Sequence, residues 1–162
     1  MTIKIAVVGS INMDLVTSVK KVPVAGETVM GETFATMPGG KGANQAVAAA
    51  RLGAEVSMIG CLGSDYLGDG LLEVLKKEGI RTEAVKRVEG SSGTASIILS
   101  EGDNRIIVVP GANHEMTPQW IEENRKVIED SDLLLVQLEI PLNCVQKALE
   151  IGKAANVITI LN

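Results

Sequence analysis

Residues Pro38 to Ala46 read PGGKGANQA, and the alanine-rich stretch behind them runs on to Gly53. Adjacent glycines can take positive φ and let another group approach bare backbone. A helix starting directly after them presents free N–H groups and the positive end of its dipole. Lys41 and Asn44 lie three apart and can share one side of its first turn. No Walker A pattern is present, and no GxGxxG fingerprint follows a strand. The segment reads as the floor of a pocket for a polar, oxygen-rich ligand, with an ordinary glycine turn before a helix as the alternative.

Outward from this segment, helices alternate with apolar runs. Ile3 to Val8 reads as a buried strand, Lys41 to Leu52 as a helix stopped by Gly53, and Val56 to Cys61 as a second strand. Ser64 and Asp65 offer a cap for a helix ending near Glu78 and Gly79. Thr94 to Ser100 and Arg105 to Pro110 predict a hairpin with the four-residue loop Glu101 to Asn104. Thr117-Pro118 opens another helix, Leu133 to Leu138 is a strand, Leu142 to Leu149 a helix, and Val157 to Leu161 a last strand. The expected class is α/β, a Rossmann-like, mostly parallel sheet with helices on both faces. Two interruptions, about residues 15–37 and 80–110, predict a small β lid above it. A strand running to Asn162 leaves a sheet edge unpaired, so the chain reads as interrupted there.

Composition narrows the function. A 162-residue chain with 46% hydrophobic residues can bury a core, built from aliphatic side chains because aromatics are only 2%. A net charge of −5 without a basic stripe argues against nucleic acid or an anionic membrane as partner. Cys61 and Cys144 belong to no CxxC pair and read as buried hydrophobes in a reducing compartment. No signal peptide or membrane-length apolar run stands out, so a cytoplasmic location is expected.

Three further places could carry chemistry. GSINMD (Gly9 to Asp14) follows the first strand, where open α/β sheets bind ligands. There Asp14 can accept from two neighbouring hydroxyls and Asn12 can both donate and accept, unless both merely satisfy their own turn. Glu139 should lie at the same sheet edge, and a solvated loop acid is the alternative. His114, the single histidine, has no metal-ligand spacing around it and reads as solvated.

Together, GSINMD, PGGKGANQAVAAARLG, GCLGSDYLGDG, the GTAS start of the hairpin and QLEIP occur in an order that resembles the ribokinase-like (PfkB) family of carbohydrate kinases. The resemblance spans the whole chain. It implies a truncated ribokinase-like fold comprising the sugar-binding half, 1–162, with Asn12 and Asp14 as ligands of the sugar hydroxyls. Gly39, Gly40, Lys41 and Asn44 would line the other side, and Glu139 would close the pocket. D-ribose is the sugar it favours, with fructose or a nucleoside as alternatives. The full-length counterpart would take ATP and Mg2+ in a C-terminal catalytic half, whose GAGD segment is missing here; Gly111-Ala112-Asn113-His114 is the nearest string. No catalytic residue, metal ligand or nucleotide-binding residue is therefore assigned to this chain. It is expected to be inactive alone and to self-associate through the lid or the sheet edge, and a separate C-terminal half is a further partner that the resemblance implies. A stand-alone sugar-binding or regulatory module is the other class of reading.

Overall fold

The computed structural model describes residues 2–162 and consists of two sheets with helices packed on one of them. The main sheet holds β1 (Lys4–Val8), β4 (Glu55–Gly63), β5 (Val85–Val88), β8 (Leu133–Val136) and β9 (Ile158–Leu161). All are parallel, in the order β5-β4-β1-β8-β9. Alternation along β1 divides the core. Ala6 and Val8 face α3 (Pro118–Glu123), α4 (Arg125–Glu129) and α5 (Leu142–Ala154), with Ile121, Ile128, Val145, Ala148 and Ile151 fully or nearly enclosed. Val7 faces the other way, toward α1 (Lys41–Arg51) and α2 (Tyr66–Lys77), where it packs among Ala43, Ala46, Leu71 and Leu75. The expected α/β class, with helices on both faces, holds.

The second sheet is β2 (Asn12–Val19), β3 (Gly31–Gly39), β6 (Gly93–Ser100) and β7 (Asp103–Val109), in the order β3-β2-β6-β7. It is mixed: β2 runs parallel to β6 and antiparallel to β3. Its boundaries differ from the expected lid segments. β2 begins at Asn12 because residues of the presumed turn find partners on two sides, Gly39 and Gly93. Val85–Val88, expected within the lid, is instead an edge strand of the main sheet, paired with Gly60–Gly63. The hairpin loop has two residues rather than four. Glu101 and Gly102 both take positive φ (54° and 80°), which turns the chain with the twist of its strands and lets Asp103 pair with Ser100.

Helix starts follow local chemistry in two cases. Asp65 accepts from Gly68 N–H (2.8 Å), and Thr117 Oγ1 accepts from Trp120 N–H (3.2 Å) with proline at the first helical position. Trp120 packs against the core, its indole N–H donating to Ala84 C=O (3.1 Å). Both cysteines are buried, and burial pushes each thiol up to about 11. No described helix is long and apolar enough to cross a membrane.

α1 lies unusually close to the end of β1. A Cβ on Gly42 would sit 2.7 Å from Gly9 C and Ser10 N, main-chain atoms with nowhere to go. Gly42→Ala is therefore expected to cost about 1–3 kcal/mol through overpacking, read as a lower urea midpoint at unchanged slope.

Candidate functional site

The strand order reverses at β1: β4 and β5 lie to one side of it, β8 and β9 to the other. Open α/β sheets hold ligands outside the carboxyl ends of such a pair, here β1 and β8. Ser10 follows β1 and Glu139 follows β8, and Ser10 Oγ–H donates to Glu139 Oε2 at 2.7 Å. Lys41 N–H, the first of α1, donates to the same oxygen at 3.0 Å, and Lys41 Nζ stands 3.5 Å from Oε1. Glu139 is thus a helix cap supplied from 98 residues away, as well as a wall of the crevice.

A cap from elsewhere is needed because Gly40 occupies the N-cap position and has no side chain. Gly40 sits at φ 91°, and a Cβ there would come within 2.8 Å of Asn12 N and 2.9 Å of Ser10 O. Tight apposition of the GG turn against the Ser10–Asn12 backbone thus excludes an ordinary capping residue. Gln137, wholly buried, adds a tie between β8 and α1 by donating to Gln45 Oε1 (2.6 Å).

Asn12 and Asp14 share one face of β2, while Met13 and Leu15 pack into the core on the other. The Asp14 carboxylate lies directly against Gly39, where a Cβ would overlap it. Burial pushes the Asp14 carboxyl up from its ordinary value, and the Glu139 charge pushes it further the same way. Glu139 also feels burial as its largest single influence, yet its hydrogen bonds from Ser10 and Lys41 N–H, with the Lys41 charge, hold it below the usual range. Two neighbouring carboxyls are therefore driven in opposite directions. Asn12 lines a cavity of about 360 Å³ with Pro110, Asn113, His114, Leu138 and Glu139. A model of the pfkB family of carbohydrate kinases matches residues 2–162.

The chain belongs to that family.

Ribokinase of Bacillus subtilis is 49% identical over 159 residues, covering 98% of this chain and 54% of that protein. Ribokinase of Lactococcus lactis is 51% identical over 139 residues, covering 85% of this chain and 46% of that one. Among solved structures, an Arabidopsis thaliana ribokinase complexed with ribose and ATP matches with a TM-score of 0.89 at 32% identity, over 99% of this chain and 53% of that one. The chain spans about half the length of the curated relatives it matches.

Within this member of the family, Asp14, Gly39, Gly40, Lys41 and Glu139 converge with Ser10 at the crevice, and Asn12 stands beside them. Asn44 does not join them. It lines a neighbouring groove with Thr36, Met37, Pro38 and Leu71 of α2. Lys41 reaches Glu139 on a long stem, whereas the short Asn44 side chain stays on the α2 side of the helix. His114 is exposed in a 3-10 turn, Gly111–Glu115. Among the described residues no three His, Cys, Asp or Glu side chains gather to hold a metal ion.

Two residues of the site escape a reading by local pattern. Ser10 is 1% exposed and Asn113 1% exposed, and both act through partners about a hundred positions away. The one available signal was the placement of Ser10 directly after a strand in the switch-point loop.

Removal of the remote cap by Glu139→Ala is expected to cost about 1–2 kcal/mol at neutral pH. A depressed folded-state carboxyl stabilises above its unfolded value and loses that contribution as pH falls through the folded one. The gap between wild type and Glu139→Ala should accordingly be constant near neutrality and close below pH 4.5, the ordinary glutamate value, in denaturation curves taken against pH.

Proposed function

We propose that this chain is the sugar-binding half of a ribokinase, and that the crevice beyond β1 and β8 takes D-ribose. The observation that carries the reading is the meeting of Asp14, Lys41 and Glu139 over the Gly39-Gly40 turn, at the strand ends where an α/β sheet holds its ligand. A polyol needs acceptors for its hydroxyl protons and donors for its oxygens, with backbone close enough to exclude water. Asp14 supplies the acceptor, Asn12 and Lys41 the donors, and Gly39 and Gly40 the close backbone. Glu139 closes the cup, while Asn44 faces the neighbouring groove beside α2.

The choice of ribose over fructose or a nucleoside is supported by the names of the matched relatives, the Bacillus subtilis and Lactococcus lactis ribokinases. Phosphoryl transfer needs more than a positioned hydroxyl: a base, a triphosphate with its metal, and charge stabilisation on the moving group. In this reading those parts, ATP and Mg2+ included, belong to the length of the relatives that this chain does not span. The chain by itself then holds sugar and transfers no phosphate.

Calorimetric titration should give binding of D-ribose in preference to fructose and adenosine, and Asp14→Asn should weaken it at least tenfold. Because the Asp14 carboxyl protonates above its ordinary value while Glu139 stays charged, ribose affinity should fall on acidification before the fold is lost. A coupled ATP-to-ADP assay with ribose should show no turnover above background. Heat with none of the sugars defeats the sugar reading, and turnover defeats the claim of inactivity; sugar binding with no family partner able to restore turnover would favour the stand-alone module.

Self-association belongs to the same reading. Every residue of β7 is exposed, as are Phe34 and Met37 of β3, so the second sheet offers apolar surface for another copy. Light scattering at high concentration should give twice the chain mass, and a clean monomer would refute this.

A further inference from the structure

We infer that Asn113 fixes the direction of the Asn12 amide, so that the pocket meets its ligand with an N–H donor at Asn12 beside an acceptor at Asp14. This makes Asn113 a positioning residue for the sugar site and rests on the sugar reading above, deepening it to a polarity pattern.

A chain of hydrogen-bonding obligations starts from the backbone. Ile11 N–H can only donate, and it donates to Asn113 Oδ1 at 2.9 Å. That identifies the oxygen end of the Asn113 amide. Its nitrogen end must then point the other way, where two main-chain carbonyls can only accept: Ile11 C=O at 3.1 Å and Pro110 C=O at 3.0 Å. The same nitrogen makes its shortest bond, 2.7 Å, to the Asn12 side chain, which must therefore offer its oxygen. With Oδ1 committed inward, Nδ2 of Asn12 is the end left for the cavity that Asn12 lines with Glu139. Among the described residues Nδ2 of Asn12 makes no hydrogen bond to protein, and it is not one of the fully buried atoms left without a partner.

Burial gives the arrangement its rigidity. Asn113 is 1% exposed and Asn12 5%, so reversing either amide would leave buried donors facing donors. A simple staple for the turn after β7 would need only the bonds to Ile11 and Pro110. The bond to Asn12 lies outside that need, and it is the shortest of the four.

The test uses the whole chain labelled with 15N, with the Asn12 side-chain amide identified by its disappearance in Asn12→Asp. In the ligand-free wild type this amide should be ordered, with an order parameter of about 0.85, and in Asn113→Ala it should fall below about 0.6. A wild-type Asn12 amide already that mobile, or one unchanged in a folded Asn113→Ala, overturns the inference. Asn12→Asp supplies an arm that does not depend on Asn113→Ala folding. It keeps the acceptor for Asn113 and replaces the outward NH2 by a carboxyl oxygen, which adds a buried acidic group, so the variant should lose some thermal stability and stay folded while ribose affinity falls at least tenfold. Unchanged affinity overturns the inference. Absence of ribose binding by the wild type overturns the sugar reading instead, and the relaxation measurement then decides the role of Asn113 alone.

Discussion

Glu139 is the point on which the geometry turns. One carboxylate oxygen accepts from Ser10 after β1 and from Lys41 N–H at the start of α1, so three separate elements meet on it. The need for it follows from Gly40. Main-chain atoms of Ser10 and Asn12 press so close that the N-cap position can hold no side chain. A helix start in that situation must be satisfied from outside, and an anion suits it best because the helix end is positive. The close backbone apposition at the glycine turn thus also dictates where the acid must stand.

The same crowding separates the two carboxyl groups electrostatically. Glu139 holds its charge because it is surrounded by donors, whereas Asp14 has burial and a neighbouring negative charge and gains no comparable partner. Asp14 is therefore the group whose hydrogen-bonding capacity remains uncommitted within the protein. A ligand offering hydroxyl protons relieves that deficit.

Much of this was legible in the chain because it is local. Apolar runs, glycine stops and the Asp65 and Thr117 caps specify their elements without help from distant residues. PGGKGANQA likewise announces a glycine turn and a helix start. Non-local effects were not legible. GSINMD carries turn chemistry, yet Asn12 to Asp14 become strand because partners arrive on both sides. VKRV at 85–88 is short and half charged, and it is a strand only through its pairing with β4. Asp103 and Asn104 look like loop residues, but positive φ at Glu101 and Gly102 completes the turn before them. The buried Asn113 has no local signature, since its partners Ile11 and Asn12 lie about a hundred residues earlier.

Because the cap of α1 comes from 98 positions downstream, the order in which the molecule acquires its parts is constrained. While the chain is being synthesised, β1, β4 and the first two helices can collapse together from nearby segments, since closure of short loops is the least costly. The ligand crevice cannot be finished at that stage, for its far wall has not yet been made. Under the proposed sugar reading, competence to grip a small molecule arrives only when β8 docks beside β1 and brings its acid with it, so for a nascent chain affinity would be a late signal of completed assembly.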